Sequence, residues 1–315
     1  MSPNSWTCLH PSNATEAKLS LDNRGLAYGD GFFTTMGVID GQILWLDYHQ
    51  QRLVSHAVAL QLQLDSQLLL AMLKIHAKQL QQGMLKLIVT RAEQEVRGYG
   101  YTPNTGGSAC EIWFKSSPMA ITTAQSLPLA NNQFISLQPA ASAICLSSQI
   151  ACLPPTLAGL KSLNRLDNVL ASGELQAIKA KTLAGTIKPS IAEGLLRDMS
   201  GQWVEGTMSN VFYQLVEAPV AKSSNRPHSQ NNSSNYLTQG QWYTPSMAQS
   251  GVAGVMRQVI IDALANTERP VVMRSLHDED LPRITRLFFC NALRGIMPMS
   301  SLRLFSGEVV SFEAI

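Results

Sequence analysis

Residues 157–165 read Leu-Ala-Gly-Leu-Lys-Ser-Leu-Asn-Arg, and how Lys161 is understood within them decides the fold. The lysine stands in an otherwise apolar stretch, after Pro154-Pro155 and Gly159 and just before a helix expected over 164–179. A buried ammonium is costly unless its charge is paired or its pKa falls. A desolvated, partly neutral amine is what Schiff-base chemistry needs. A lysine on a surface loop is the plain alternative, and this segment alone leaves both open.

Two downstream segments bear on the choice. In Val204-Glu-Gly-Thr-Met-Ser-Asn-Val-Phe212 a carboxylate ends one strand, small and hydroxyl residues turn, and an apolar strand resumes. A glutamate held at a strand end can keep a pyridine nitrogen protonated, though it can equally face water. In Ser250-Gly-Val-Ala-Gly-Val-Met-Arg257 glycines open a helix, whose free amides and dipole favour a phosphate. Arg52, on an earlier helix, is a candidate second clamp on the same anion.

Around these segments the chain alternates strand and helix patterns. Asp40-Gly41 lies between apolar runs and predicts a tight hairpin. Asp47 and Asp65 are expected to cap helices, the second ended by Gly83. Strands are expected at 85–90, 111–114, 191–197, 203–205 and 210–216, and a strand–helix–strand closes the chain. The fold class is α+β or α/β in two domains: a small N-terminal α+β domain over 1–116, a linker over 117–132, and a larger C-terminal domain over 133–315 carrying Lys161. Residues 221–235 are polar and low in complexity, which predicts a flexible surface insertion.

Composition excludes several function classes. With 45% apolar and 15% charged residues and a net charge of +2, the 315-residue chain has no basic stripe for nucleic acid. No run of roughly 18 apolar residues offers a membrane span, and residues 1–10 lack the pattern of an export signal. The five cysteines have no spacing for zinc or redox work and read as reduced cytoplasmic thiols. The six histidines have no ligand spacing either, so no metal is expected, and each reads as a surface or packing residue.

Taken in order, these segments resemble the fold-type IV pyridoxal-phosphate enzymes: branched-chain and D-amino-acid aminotransferases and the aminodeoxychorismate lyases. Arg24-Gly-Leu-Ala-Tyr-Gly-Asp-Gly-Phe-Phe-Thr-Thr35 is similar to the family's opening motif, and His49-Gln-Gln-Arg-Leu53 to its phosphate-arginine motif. The resemblance implies pyridoxal 5'-phosphate between two domains, with Lys161 as its Schiff-base lysine and general acid/base. It implies Glu205 at the pyridine nitrogen, Arg52 with the amides of Val255 and Met256 at the phosphate, and Asn164 near the cofactor. The aminotransferases resemble YGDGVFE where this chain has Thr34 and Thr35. The lyase pattern of GDGxFTT, GxKxLNR and GVMR is present at 29–35, 159–165 and 254–257.

That pattern implies conversion of 4-amino-4-deoxychorismate to 4-aminobenzoate and pyruvate, with Thr34 or Thr35 as proton relay and Arg97 and Tyr99 receiving a substrate carboxylate. An aminotransferase of the same fold is the alternative. A homodimer is implied too, with transient contact to the synthase that makes the substrate. Two departures bear on domain edges: a longer start over 2–18, and Ala192-Glu-Gly-Leu-Leu196 for the commoner Ala-Asp-Glu-Ala-Leu.

Overall fold

Strand and helix periodicities trade places along the first third of the chain, and the backbone of a computed structural model follows them. The structure describes residues 6–10, 19–102, 107–121, 125–129, 133–183, 191–216 and 236–312. The chain divides into two units, Met1–Thr122 with Leu153–Leu166, and Thr123–Cys152 with Asp167–Ile315.

The first unit contains β1 (Trp6–His10), α1 (Arg24–Tyr28), β2 (Gly31–Ile39), β3 (Gln42–Ile43), α2 (Leu46–Ala59), α3 (Ser66–Leu80), β4 (Gly83–Arg91) and β5 (Cys110–Pro118). Its strands form one antiparallel sheet in the order β1-β5-β4-β2-β3. Asp40 and Gly41 both adopt positive φ, 51° and 70°, the backbone that a two-residue hairpin turn of matching twist requires. Asp65 caps α3 by accepting from the Leu68 amide. Asp47 is not the cap expected of it. Trp45 occupies that position at φ 58°, and Asp47 lies in the first turn of α2, where its charge meets the helix dipole.

Side chains alternate across β2. Phe32, Met36 and Val38 pack with Leu85, Leu87 and Val89 of β4 and with Leu53, Leu69 and Leu73 of the helices. Each such side chain contributes roughly 1.5–3 kcal/mol by leaving water. Phe33 and Thr35 turn to the opposite face.

The second unit contains β6 (Gln125–Pro128), β7 (Phe134–Leu137), β8 (Ala141–Ile150), α4 (Leu166–Leu183), β9 (Ile191–Asp198), β10 (Trp203–Gly206), β11 (Asn210–Leu215), β12 (Tyr243–Thr244), α5 (Val255–Leu264), β13 (Val272–Met273), β14 (Ile284–Asn291), β15 (Gly295–Arg303) and β16 (Val309–Ser311). Pairing runs β8-β9-β10-β11-β14-β15 and returns to β8, so part of the sheet closes on itself. Period-2 alternation divides its residues between two cores. Cys145, Leu195, Trp203, Val211 and Tyr213 pack in one, while Ile144, Leu146, Leu196 and Val204 pack with Ala171 and Leu175 of α4.

Three expectations need correction. Residues 153–166, including Lys161, belong with the first unit rather than the C-terminal one. The reason is backbone pairing: Leu163 donates to Gly31, and Ser162 bridges Phe32 of β2. The expected linker over 117–132 contains a strand, β6, which pairs antiparallel with β7 and buries Leu127. The chain ends with β14–β15–β16 preceded by a short 3-10 helix at Asp278–Arg283, not with strand–helix–strand. The 221–235 insertion and most of residues 2–18 lie outside the described residues. No described helix is long and apolar enough to cross a membrane.

Candidate active site

Lys161 is fixed through its main chain at both ends. Its carbonyl accepts from the Phe33 amide at 3.0 Å, and its amide donates to His56 Nε2 at 2.9 Å. The side chain then lays Nζ over the Phe33 ring, 4.6 Å from the centroid. That contact places the amine on the face of β2 that also carries Thr35. Lys86 of β4, paired across from Thr35, brings a second ammonium 5.4 Å from the same ring. Asn164 donates to the Gly29 carbonyl at 3.3 Å and fills the space a side chain at 29 would need; a Cβ there would lie 2.2 Å from Asn164 Oδ1. Its contact ties the lysine loop to the opening motif.

Thr34 does not join Lys161. Strand alternation turns it to the helix side, where it is fully buried and hydrogen-bonded to His49 Nδ1 at 2.9 Å. Of the pair, Thr34 lies on the helix side of β2 and Thr35 on the face that carries Phe33. His49, Arg52 and His56 form a buried stripe along α2. Burial lowers the Arg52 guanidinium to about 10, so it stays charged at neutral pH. A cation this dry favours an anion nearby. His49 Nε2, on the same stripe as Arg52, is buried with no hydrogen-bond partner among the described residues.

Burial, aided by the Arg52 charge, holds both His49 and His56 down at about 3, against an ordinary 6.5; Arg165 and Lys161 add to the effect at His56. The unfolded chain takes up these protons near the ordinary value, while the folded chain refuses them until about pH 3. Stability from neutral burial is thus complete above pH 6.5 and declines on acidification towards 3. Roughly 2 kcal/mol per histidine is expected to be lost by pH 5. Thermal melts at pH 7 and pH 5 check this, and His56→Gln should roughly halve the difference.

The opening motif has a structural task not visible in the sequence. Asp30 Oδ2 accepts from Arg24 Nε and Arg91 Nε, each at 2.9 Å. Arg24 then reaches the main-chain carbonyls of Gly98 and Tyr99 at 3.4 and 3.2 Å. Arg97 and Tyr99 sit exposed on the loop so held, Tyr99 edge-on to Tyr28.

In the second unit Glu205 is buried, and its two oxygens accept from the Val252 amide at 2.8 Å and from Asn168 Nδ2 at 3.4 Å. The turn that follows Glu205 is tied to Glu193. That carboxylate accepts from the Thr207 amide, the Thr207 hydroxyl and the Ser209 hydroxyl. The unusual Ala-Glu-Gly sequence at 192–194 thus supplies the buttress of the Glu205 turn. Gly254 is the N-cap of α5, and among the described residues no side chain caps it, so the Val255 and Met256 amides lie in a first turn without a side-chain cap. A Cβ at 254 would come 1.9 Å from Asn210 Oδ1, whose side chain is held by the Val252 carbonyl. Only glycine fits. Such a cradle accepts a phosphate.

His49, His56, Asn168 and Glu193 were given no role of their own in the sequence. The two histidines had a signal: with Arg52 they fall at i, i+3 and i+7, one stripe of a helix already expected there. Asn168 and Glu193 had none, since their partners lie 37 and 14 residues away.

The family described as amino-transferase class IV matches residues 31–302. A crystal structure of 4-amino-4-deoxychorismate lyase from Pseudomonas aeruginosa superposes with a TM-score of 0.66 at 30% identity, covering 91% of this chain and 88% of that one. The aminodeoxychorismate lyase of Vibrio harveyi is 23% identical over 288 residues, 91% of this chain and 88% of the relative. A putative branched-chain-amino-acid aminotransferase of Methanocaldococcus jannaschii is 27% identical over 304 residues, covering 95% and 87%.

Proposed function

The chain belongs to the amino-transferase class IV family, and from that premise we propose that it is a pyridoxal-phosphate lyase that cleaves 4-amino-4-deoxychorismate to 4-aminobenzoate and pyruvate. The observation that carries the reading is the placement of the Lys161 amine over Phe33, on the β2 face that presents Thr35. Support for the lyase over the transaminase comes from the 30% identity to the Pseudomonas aeruginosa lyase and from the threonine pair itself. The Methanocaldococcus jannaschii relative supports an aminotransferase instead.

Lys161 would hold the cofactor aldehyde through Nζ. Arg52, Val255 N and Met256 N would hold its phosphate, and Glu205 would keep its pyridine nitrogen protonated. When bound, pyridoxal phosphate supplies a conjugated cationic ring able to take up an electron pair. The remaining steps belong to the chain. Lys161 Nζ, as a free amine, would remove the proton at C4 and return one to the departing enolpyruvate. Thr35 donates a hydrogen bond to the leaving group without adding charge beside it. Lys86 and Arg97 supply cations for the substrate's carboxylates. Aromatisation of the ring makes the step downhill.

We place the working enzyme as a homodimer that takes its substrate from a synthase. Purified enzyme given synthase-generated aminodeoxychorismate should release 4-aminobenzoate and pyruvate in equal amounts. Amino-group transfer from branched-chain or D-amino acids to 2-oxoglutarate, with no 4-aminobenzoate formed, would establish the aminotransferase instead.

A further inference from the structure

Lys161 owes its place to a histidine one element away, and the hydrogen bonds around that histidine leave it a single protonation form. The Ser55 hydroxyl donates to the Arg52 carbonyl at 3.1 Å. Its proton is thereby used, so toward His56 Nδ1, 3.2 Å away, Ser55 can only accept. The Nδ1 atom therefore carries the proton, and Nε2 presents a lone pair. That lone pair meets the Lys161 amide at 2.9 Å. His56 is 5% exposed and edge-on to the Phe32 ring at 5.3 Å, so the imidazole has little freedom to turn. The charged groups facing it are Arg52, Arg165 and Lys161, all cationic, and each disfavours a second proton on the ring.

We propose that His56 is a positioning residue for Lys161: its Nε2 lone pair holds the Lys161 amide and thereby sets where the amine stands over Phe33. The inference rests on the role given to Lys161 above. The Phe33 amide secures the Lys161 carbonyl from one side; His56 secures the nitrogen from the other. Without both, the peptide on either side of Lys161 can rotate, and a side chain of that length converts a small rotation into a large displacement of Nζ. A misplacement of about 1 Å costs on the order of a hundredfold in rate.

The test uses holoenzyme of the parent, His56→Gln, His56→Leu and Ser55→Ala. Glutamine can set an acceptor oxygen where Nε2 stands; leucine keeps the bulk and removes the acceptor. Borohydride trapping with mass spectrometry first locates the cofactor. The pH midpoint of its visible absorbance, kcat, KM and melting temperature are then compared. His56→Leu should move the absorbance midpoint and lower kcat by roughly tenfold to a hundredfold, with KM within about twofold. His56→Gln should restore both. Ser55→Ala, at an exposed helical position, frees the ring to exchange tautomers and should shift the midpoint the same way by less.

A folded His56→Leu enzyme that only melts earlier, with parental midpoint and kcat, overturns the proposal. Should His56→Leu fail to fold, a Ser55→Ala enzyme with parental midpoint and kcat overturns it equally. Parent enzyme trapped at a residue other than Lys161 overturns the assignment of the lysine itself, a result distinct from parental behaviour in the variants.

Discussion

Lys161→Ala protein is expected to purify colourless and to form 4-aminobenzoate at least roughly 10⁴-fold more slowly than the parent. The fold should survive the change. What secures residue 161 is its main chain, through the Phe33 amide and His56 Nε2, and alanine keeps both bonds. Loss of colour would then report the missing amine rather than a collapsed site. Absorbance after incubation with pyridoxal phosphate, a melting curve and product analysis together make the measurement. A variant that remains yellow and turns over would end the assignment of Lys161.

Glu205→Gln should behave differently, retaining cofactor colour while kcat drops by roughly 10²- to 10³-fold. The amide matches the carboxylate in volume and can still accept from Val252, so the buried pocket keeps its shape. What would disappear is the negative charge proposed to keep a pyridine nitrogen protonated, and with it the ring's capacity as an electron sink. Asn168 would have to turn its own amide to meet the new NH₂ group. Parental kcat in Glu205→Gln would show that the carboxylate has no part in the chemistry.

Legibility in the sequence divided along the range of the interactions involved. The turn at Asp40-Gly41 and the cap at Asp65 are decided within four residues, and both formed as read. The glycine at 254 was legible as a helix start, although the reason no other residue fits, Asn210, lies 44 positions earlier in the chain. Membership of residues 153–166 in the first unit was not legible. It depends on bonds to Gly31, Phe33 and His56, more than a hundred residues upstream, and no local pattern announces such partners. Thr34 and Thr35 look equivalent as letters. Only the register of β2, fixed by pairing with β4 and by Phe32, Met36 and Val38 facing the helices, separates a buried hydroxyl from one on the Phe33 face. The histidines illustrate a different limit: individually each was an ordinary packing residue, and their meaning came from sharing one helical stripe with Arg52.

Arg24 grips the loop after β4 by the carbonyls of Gly98 and Tyr99 and never by a side chain. Every amino acid offers that same carbonyl. Residues 97 and 99 can therefore be exchanged in the course of evolution or in a directed library without unfastening the segment that bears them. A retooled selectivity would then start from an intact scaffold, with Arg24 and Asp30 as the pair to leave alone.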